Sequence, residues 1–469
     1  MTAIAEPRSG VASRRVGLLP PHRRQLLSAG WPIAMAVAGY PIWWALGLTP
    51  VVFPLAAIPM LLKLRRRGNI RVPPGFWIWL LFLVWVLGSA VTLNLVPADT
   101  EPPHGAGRFL AFALRFFNYA SLTIMMLYIG NMPERVLPTK RVMRSLGALC
   151  LSSIALGLGG VLFPRFKFNS PAAALLPSNI SSSGNQFTTI ALAQVQPVLG
   201  YSAPRPAAPY AFTNAWGNNV ALLLVWFIVG WWIYGSQRRR LGLLIALTVA
   251  IVPIVYTLDR GMWIGLGLAV TYVAFRLAAR GRLFAIGAIA FTLGVGAVVF
   301  VASPLSSIVS ERLSHGRSND VRTSLAGESL RVAESSPFLG YGSTRQTVGS
   351  QNTIAVGATK ACPKCGNRDI GSTGQVWLLL IAQGFVGTAM YLAYFLRTAW
   401  AFRSDYSPIG IAGTLCVLLS LFFGLFYSAL IMPLALVFIS IGLVWRHGML
   451  GTTTRPALSR PLARGTVPV

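Results

Sequence analysis

Charge is what this 469-residue chain has least of: 11% of it is Asp, Glu, Lys or Arg, against 54% hydrophobic residues and a mean hydropathy of +0.62. Soluble domains carry about 25% charged residues, so a water-solvated globular fold is excluded. The charge that exists is nearly all of one sign, 40 basic residues against 11 acidic ones, for a net +29. No basic globular segment gathers that excess, which excludes a nucleic-acid-binding role. Lysine is almost missing: it stands only at 63, 140, 167, 360 and 364, so 40 − 5 leaves 35 arginines. Cysteine and histidine number four each, and the lone Cys362-Pro-Lys-Cys365 has no second pair or neighbouring His to complete a zinc site. It reads as a local disulfide in an oxidising compartment, with a reduced pair or a weak metal site as alternatives, and carries no catalysis. The basic Arg8–Arg24 stretch is not followed by a small-residue cleavage site, so the first apolar run reads as an anchor rather than a cleaved signal. No internal two-fold repeat of the kind common in transporters is visible.

Apolar runs of helix length are what the chain has in abundance. A membrane-crossing helix takes about 20 mainly apolar residues. Such runs cover 30–47, 49–63, 75–96, 107–130, 142–163, 216–235, 240–257, 261–277, 282–302, 373–397, 407–427 and 429–446. The expected fold is an all-α polytopic membrane protein of about 12 transmembrane helices. Arginine and lysine in the connections set its orientation. With twelve crossings, the N-terminal tail, Lys63–Arg71, Arg135–Arg144, Arg238–Arg240, Arg276–Arg282, Arg397–Arg403 and the stretch from Arg446 all fall on one side, which is then cytoplasmic. The expected layout is a basic cytoplasmic tail (1–29), nine membrane helices (30–302) with an outer loop at 164–215, a large extracytoplasmic loop (303–372) between the ninth and tenth helices, three last helices (373–447) and a disordered cytoplasmic tail (448–469). The 164–215 loop, rich in Ser, Pro, Asn and Ala, is expected partly along the membrane surface.

The large loop carries Arg312, Arg317, Arg322, Arg331, Arg345 and Arg368 outside the membrane. Arginine is suited to holding an anion bidentately at such a surface. Within it, Val321 to Glu334 reads as a short amphipathic helix with Val321, Leu325 and Val332 near one face. Glu328/Arg331 and Arg331/Glu334 are i,i+3 pairs, and Pro337 with Gly340-Tyr341-Gly342 ends the element. Arg108 and Arg115 share one face of the fourth span, Arg115 roughly 10 Å deeper at 1.5 Å per residue. A guanidinium in the apolar slab costs at least about 2.5 kcal/mol on insertion scales, so Arg115 either pairs with a carbonyl or faces a cavity. Asp259-Arg260 opens the eighth span, either as an ion pair capping the helix or as a phosphate clamp. Arg205 precedes Pro209-Tyr-Ala-Phe-Thr-Asn214-Ala-Trp216, where amides and aromatic faces suit a sugar, although aromatics also populate every membrane interface. His315 reads as a solvated loop histidine, with a base role as the alternative.

Several of these segments together resemble the O-antigen ligase and polymerase superfamily. Arg322 with Pro337-Phe-Leu-Gly340-Tyr-Gly342 is similar to its large-loop signature, as is the following Gly374-Gln-Val-Trp-Leu-Leu-Leu-Ile-Ala-Gln-Gly384-Phe-Val-Gly387. Arg205 to Asn214 resembles its Arg…Gly-x-Phe-x-Asn-Pro-Asn block, and Asp259-Arg260-Gly261 its Ser-Arg-Gly block. The resemblance implies transfer of a glycan from an undecaprenyl-pyrophosphate donor to a glycan or lipid acceptor, at the outer face of the cytoplasmic membrane, with no cofactor, metal or nucleotide sugar. It implies catalytic roles for Arg260 and Arg322, and substrate binding by Arg115, Arg205, Asn214, Trp216 and Gln375. Arg345 and Arg368 belong to no motif and are expected to matter less. One departure stands out. Family ligases often carry a His-Asn pair ahead of the span after the large loop, whereas this chain has Thr373-Gly374 and then Gln375, none of them a general base near neutral pH. Asp320, Glu328 or His315 then take that role, or electrostatic clamping suffices. The competing classes are a polyprenyl-monophosphate glycosyltransferase, for which Asp99 and Glu101 offer carboxylates on an outer turn, and a lipid-linked oligosaccharide transporter.

Overall fold

Runs of Leu, Val, Ile, Phe and Trp in lipid leave the backbone one local way to satisfy its own N–H and C=O groups, the α-helix. The structure is a computed structural model that describes residues 29–102, 107–175, 187–196, 199, 201–314, 317–347 and 369–453. The N-terminal tail to residue 28, the C-terminal tail past residue 453, Cys362, Cys365, His315 and Arg368 lie outside the described residues. The described residues hold fifteen α-helices. Before the large loop come α1 (Trp31–Ile33), α2 (Tyr40–Leu46), α3 (Val52–Arg65), α4 (Phe76–Gly88), α5 (Gly107–Asn131), α6 (Thr139–Leu162), α7 (Thr213–Ile228), α8 (Gln237–Tyr256), α9 (Arg260–Ala278) and α10 (Leu283–Val301). Then follow α11 (Leu305–Ser314), α12 (Arg317–Glu334), α13 (Gln375–Ala401), α14 (Pro408–Phe423) and α15 (Met432–Thr453).

Helices stand at all twelve apolar runs. Seven are long and apolar enough to cross a membrane, those beginning at Gly107, Thr139, Thr213, Gln237, Arg260, Gln375 and Met432. Three shorter apolar helices cover Phe76–Thr92, Leu283–Val298 and Pro408–Phe423. The first run is not one helix: α1 passes through a π turn (Ala34–Ala38), and α2 restarts with Pro41 in its first turn. Proline there lacks only an N–H that a helix start leaves unbonded anyway.

The described parts of the two long connections hold more regular structure than the sequence suggests. In the 164–215 segment, β1 (Lys167–Asn169) pairs with β2 (Thr189–Ala191), and β3 (Ala193–Gln196) with β4 (Ala203–Pro206), both antiparallel. Strands of three or four residues are too short to show an alternation. In the large loop the amphipathic helix starts at Arg317, and α11 precedes it. Leu325 and Val332 of α12 are buried as their spacing predicts, Val332 in a cluster with Tyr341, Ile370 and Ile381. A short pair, β5 (Arg345–Gln346) with β6 (Asp369–Ile370), closes the loop onto α13.

The core is aromatic. Trp79 lies within 6.1 Å, ring centre to ring centre, of Phe82, Tyr119, Tyr391, Tyr394, Phe395 and Phe438. Its indole N–H is satisfied by Thr123 Oγ1 at 2.8 Å, and that of Trp226 by Ser440 Oγ at 2.8 Å. Buried arginines tie the turns at one end: Arg276 bonds the carbonyls of Arg403 and Asp405, and Arg446 those of Met132 and Leu137. The described residues of the 93–102, 163–212, 257–259, 302–347 and 424–431 connections belong to the opposite end.

α13 carries the feature that organises that opposite end. At Gly384 the helix breaks, with φ 65° and ψ −171°, a region in which essentially only glycine is at ease. The break frees backbone groups that the Pro337–Gly342 turn captures: Tyr341 N donates to Ile381 O at 2.7 Å, Gly342 N to Ala382 O at 2.8 Å, and Phe385 N to Pro337 O at 2.8 Å. Trp85 Nε1 donates to the carbonyls of Phe338 and Gln383 at 3.2 and 3.1 Å. A Cβ at Gly384 would sit 2.4 Å from Phe338 O. Gly384→Ala is therefore expected to cost roughly 1–3 kcal/mol of backbone strain and to undock the turn, whereas Gly294→Ala, with nothing within 4 Å of its Cβ, is expected to be tolerated. Thermal unfolding in detergent checks this; equal melting temperatures for the two variants would refute it.

Candidate functional site

At the end where the large loop docks, α9, β4, α11, α12 and the α14–α15 turn enclose a cavity of about 800 Å³. Four arginines line it: Arg205 from β4, Arg260 from the start of α9, Arg312 from α11 and Arg322 from α12. The rest of the wall is Gln196, Asn214, Asp259, Thr323 and Thr373 on the polar side, and Leu258, Gly261, Ile264, Ala326, Trp377, Leu425 and Phe426 on the apolar side. Four guanidiniums and one carboxylate thus face one space that is otherwise largely apolar.

The chain fixes these cations to different degrees. Arg205 is 5% exposed. Its Nε donates to Thr257 O at 2.5 Å, Nη1 to Gln196 Oε1 at 2.7 Å and Nη2 to Asn214 Oδ1 at 3.2 Å. Burial pushes this guanidinium down to about 10, with Asp259 opposing the shift and Arg312 and Arg322 adding to it, so it stays charged at neutral pH. Arg312 Nε donates at 3.0 Å to the carbonyl of Leu258, a residue held at φ 54°, where a branched side chain is strained. Burial, then repulsion from Arg260 and Arg322, lowers Arg312 below the ordinary arginine value. Arg322 differs from both. Its guanidinium lies 5.9 Å from the centre of the Tyr427 ring, and among the described residues it has no hydrogen bond.

Asp259 is the counter-charge. It caps α9, with Oδ1 accepting from Met262 N at 3.5 Å and from the Tyr427 hydroxyl. Two glycines permit this close packing: a Cβ on Gly261 would lie 2.1 Å from Tyr427 Oη, and one on Gly217 would lie 2.6 Å from Asp259 Oδ2.

Of the residues singled out in the sequence, Arg205, Asn214, Arg260 and Arg322 come together on this wall. Arg115 does not reach it. Its Nη1 lacks a hydrogen-bond partner, and its neighbour is Tyr119, one turn on. Tyr119 Oη accepts from Gln375 Nε2 at 3.1 Å; Gln375 in turn holds Ala429 N at 3.0 Å and, through its own N–H, Tyr427 O at 2.9 Å. Gln375, 1% exposed, thus braces the turn behind the cavity. Trp216 is fully buried, its Nε1 donating to Ser153 O at 3.0 Å, and packs between α6 and α7. Gln196, a wall residue on a strand, has no motif to mark it; Trp377, also on the wall, falls inside the Gly374–Gly387 segment quoted above, where nothing local assigns its side chain a role.

Comparison of the chain with family models, with curated proteins and with solved structures finds no match.

Arg345, expected to matter less, has a firm structural task. It is 5% exposed, and its Nη atoms donate to the carbonyls of Tyr341, Ser343, Thr344, Leu93 and Leu95 at 3.0 to 3.3 Å. Lysine has one donor head where this site uses a fork. Arg345→Lys is expected to lose at least one charge-assisted hydrogen bond, about 1.5–3 kcal/mol, and to lower the melting temperature. Arg322→Lys is expected to leave it unchanged. Equal melting temperatures for the two variants would contradict this division of labour.

Proposed function

We propose that the chain transfers or polymerises a lipid-linked glycan, carried on undecaprenyl pyrophosphate, onto an acceptor hydroxyl at the outer face of the cytoplasmic membrane, as an O-antigen ligase-like glycosyltransferase of cell-surface polysaccharide synthesis. The observation that carries this reading is the cavity wall itself, which pairs Arg205, Arg260, Arg312 and Arg322 with an apolar surface of Ile264, Trp377, Leu425 and Phe426. A pyrophosphate on a long hydrocarbon chain needs both. In this reading all twelve helical runs cross the membrane, both termini are cytoplasmic and the cavity opens outside, as the arginine-rich connections at the other end support.

The chemistry asked of the wall is charge stabilisation. The acceptor oxygen bonds to the anomeric carbon as that carbon's bond to pyrophosphate breaks, and negative charge grows on the departing phosphate. Guanidiniums held in place beforehand stabilise that charge without reorganising at the moment of reaction. Arg322, with no hydrogen bond to a described residue, and Arg260 are the two assigned to the leaving group; Arg205, tied to Gln196 and Asn214, sets the shape and potential of the wall.

The test is transfer from a purified undecaprenyl-pyrophosphate-linked oligosaccharide in detergent, with neither metal nor nucleotide sugar added. Wild type is expected to release undecaprenyl pyrophosphate. Arg322→Ala is expected to fall by about 10²–10³-fold in kcat, the cost of removing one preorganised charge-stabilising donor. Strict dependence on a divalent metal, or turnover only of a monophosphate donor, would move the chain to the class of polyprenyl-monophosphate glycosyltransferases. Vectorial movement of the lipid without bond cleavage would make it a transporter.

A further inference from the structure

The end of the bundle away from the cavity carries a second group of arginines, at the turn between α13 and α14, that the glycosyl-transfer reading leaves unused. Three guanidiniums lie over aromatic rings there. Arg276, in the last turn of α9, is 4.0 Å from the centre of the Tyr406 ring, and Arg280, just past that helix, is 5.2 Å from the same centre. Arg403 is 3.9 Å from the centre of the Trp400 ring. Arg276 spends its Nη atoms on the carbonyls of Arg403 and Asp405. Arg403 donates Nη1 to Trp400 O at 2.7 Å, and Arg280 has no hydrogen bond among the described residues. None of the three forms an ion pair among the described residues. Asp405, the carboxylate of this turn, accepts from Ser407 N at 2.9 Å. Three cations against that one carboxylate leave a surplus of two positive charges at the turn.

We infer that this turn binds the headgroup of an anionic phospholipid in the leaflet at this end, the cytoplasmic one in the topology proposed above. The inference does not depend on the glycosyl-transfer reading. A ring beneath a guanidinium covers one of its faces and leaves its N–H edge free, and that edge is the part that grips a phosphate. Arg280 and Arg403 are both exposed and keep donors for such a contact, while Arg276, its Nη atoms spent, adds charge. The apolar part of the ligand is matched as well. Phe275, Leu396 and Trp400 are exposed near the ends of α9 and α13, where acyl chains surround the bundle. Basic pockets between helix ends at this face of a membrane suit anionic lipid headgroups.

Membrane sidedness alone asks for positive charge in these connections and nothing of its arrangement. Arg238 and Arg239, in the α7–α8 turn, serve sidedness equally, yet among the described residues neither guanidinium lies over a ring. They supply the contrast that separates a site from a general surplus of charge. The site also has a structural consequence. α9 buries Met262, Gly265 and Arg276 and leaves the rest of its length open or half-open. Arg276 is thus the fastening of its inner end. A headgroup held by Arg280 and Arg403 adds a second one, on the helix whose outer end starts with Asp259 and Arg260.

The experiment titrates the full chain, delipidated in an uncharged detergent, with phosphatidylglycerol or phosphatidylcholine and counts bound lipid by native mass spectrometry. Wild type is expected to bind phosphatidylglycerol more tightly than phosphatidylcholine. The double variant Arg280→Gln/Arg403→Gln is expected to lose about 30-fold in phosphatidylglycerol affinity, about 1 kcal/mol for each arginine at an anionic surface, with phosphatidylcholine binding unchanged. Arg238→Gln/Arg239→Gln is expected to keep the wild-type affinity. Equal losses in the two double variants would reduce the effect to the overall charge of this end and overturn the site, as would equal affinity of wild type for the two lipids. Glycerophosphoglycerol, the headgroup without acyl chains, is expected to leave lipid binding unchanged at the same concentration. Its displacement of the lipid would make the ligand a free phosphate ester and contradict the assignment. Where the glutamine pair does not fold, Arg280→Lys/Arg403→Lys decides: it keeps the charge without the fork, is expected to bind more weakly, and at wild-type affinity would refute the proposed grip.

Discussion

A polar group without a partner in an apolar slab costs several kcal/mol, and this bundle answers that cost repeatedly with arginine. Five guanidiniums, those of Arg205, Arg276, Arg312, Arg345 and Arg446, are buried and bonded to backbone carbonyls at turns between helices. Each satisfies carbonyls that a helix end leaves open and locks a connection at a fixed place. Through that device a chain with 11 acidic residues holds these five cations with few ion pairs among the described residues: the acceptors are carbonyls. Against this background Arg322 stands apart, charged, on the wall of a cavity and bonded to no described residue.

The same economy places the cavity. The break at Gly384 lets the Pro337–Gly342 turn plug into α13, and Arg345 pins that turn to the carbonyls of Leu93 and Leu95. α12 therefore leans on α13 with Leu325 and Val332 inward, which brings Arg322 over Tyr427. From the other side, β4 presents Arg205, and α9 begins with Asp259 and Arg260 at the same level. Segments more than a hundred residues apart in sequence meet because two docked loops, not the helices themselves, set the shape of this end.

The helices were legible from hydropathy, since every apolar run longer than about fifteen residues became helical, and the amphipathic spacing of Leu325 and Val332 located α12. Arg205, Asn214, Arg260 and Arg322 were legible because each sits beside a short motif. What was not legible depends on contacts distant in sequence. Nothing local to Arg345 says that five carbonyls converge on it, and nothing local to Trp216 or Gln375 says that each is sealed in the core. The 164–215 hairpins escaped because their strands are too short to show a period. Asp259 was visible as a cap, but its unpartnered oxygen depends on where Tyr427, 168 residues away, has spent its hydroxyl.

The central claim is that the arginine-lined cavity grips a pyrophosphate attached to a polyprenyl chain. Its most direct test is the structure of the full chain in nanodiscs with undecaprenyl pyrophosphate bound. The account predicts phosphate density within hydrogen-bond distance of Arg322 and Arg260, with the first isoprene units against Ile264, Trp377 and Phe426. A lipid headgroup bound elsewhere, with the cavity filled by water alone, would contradict it.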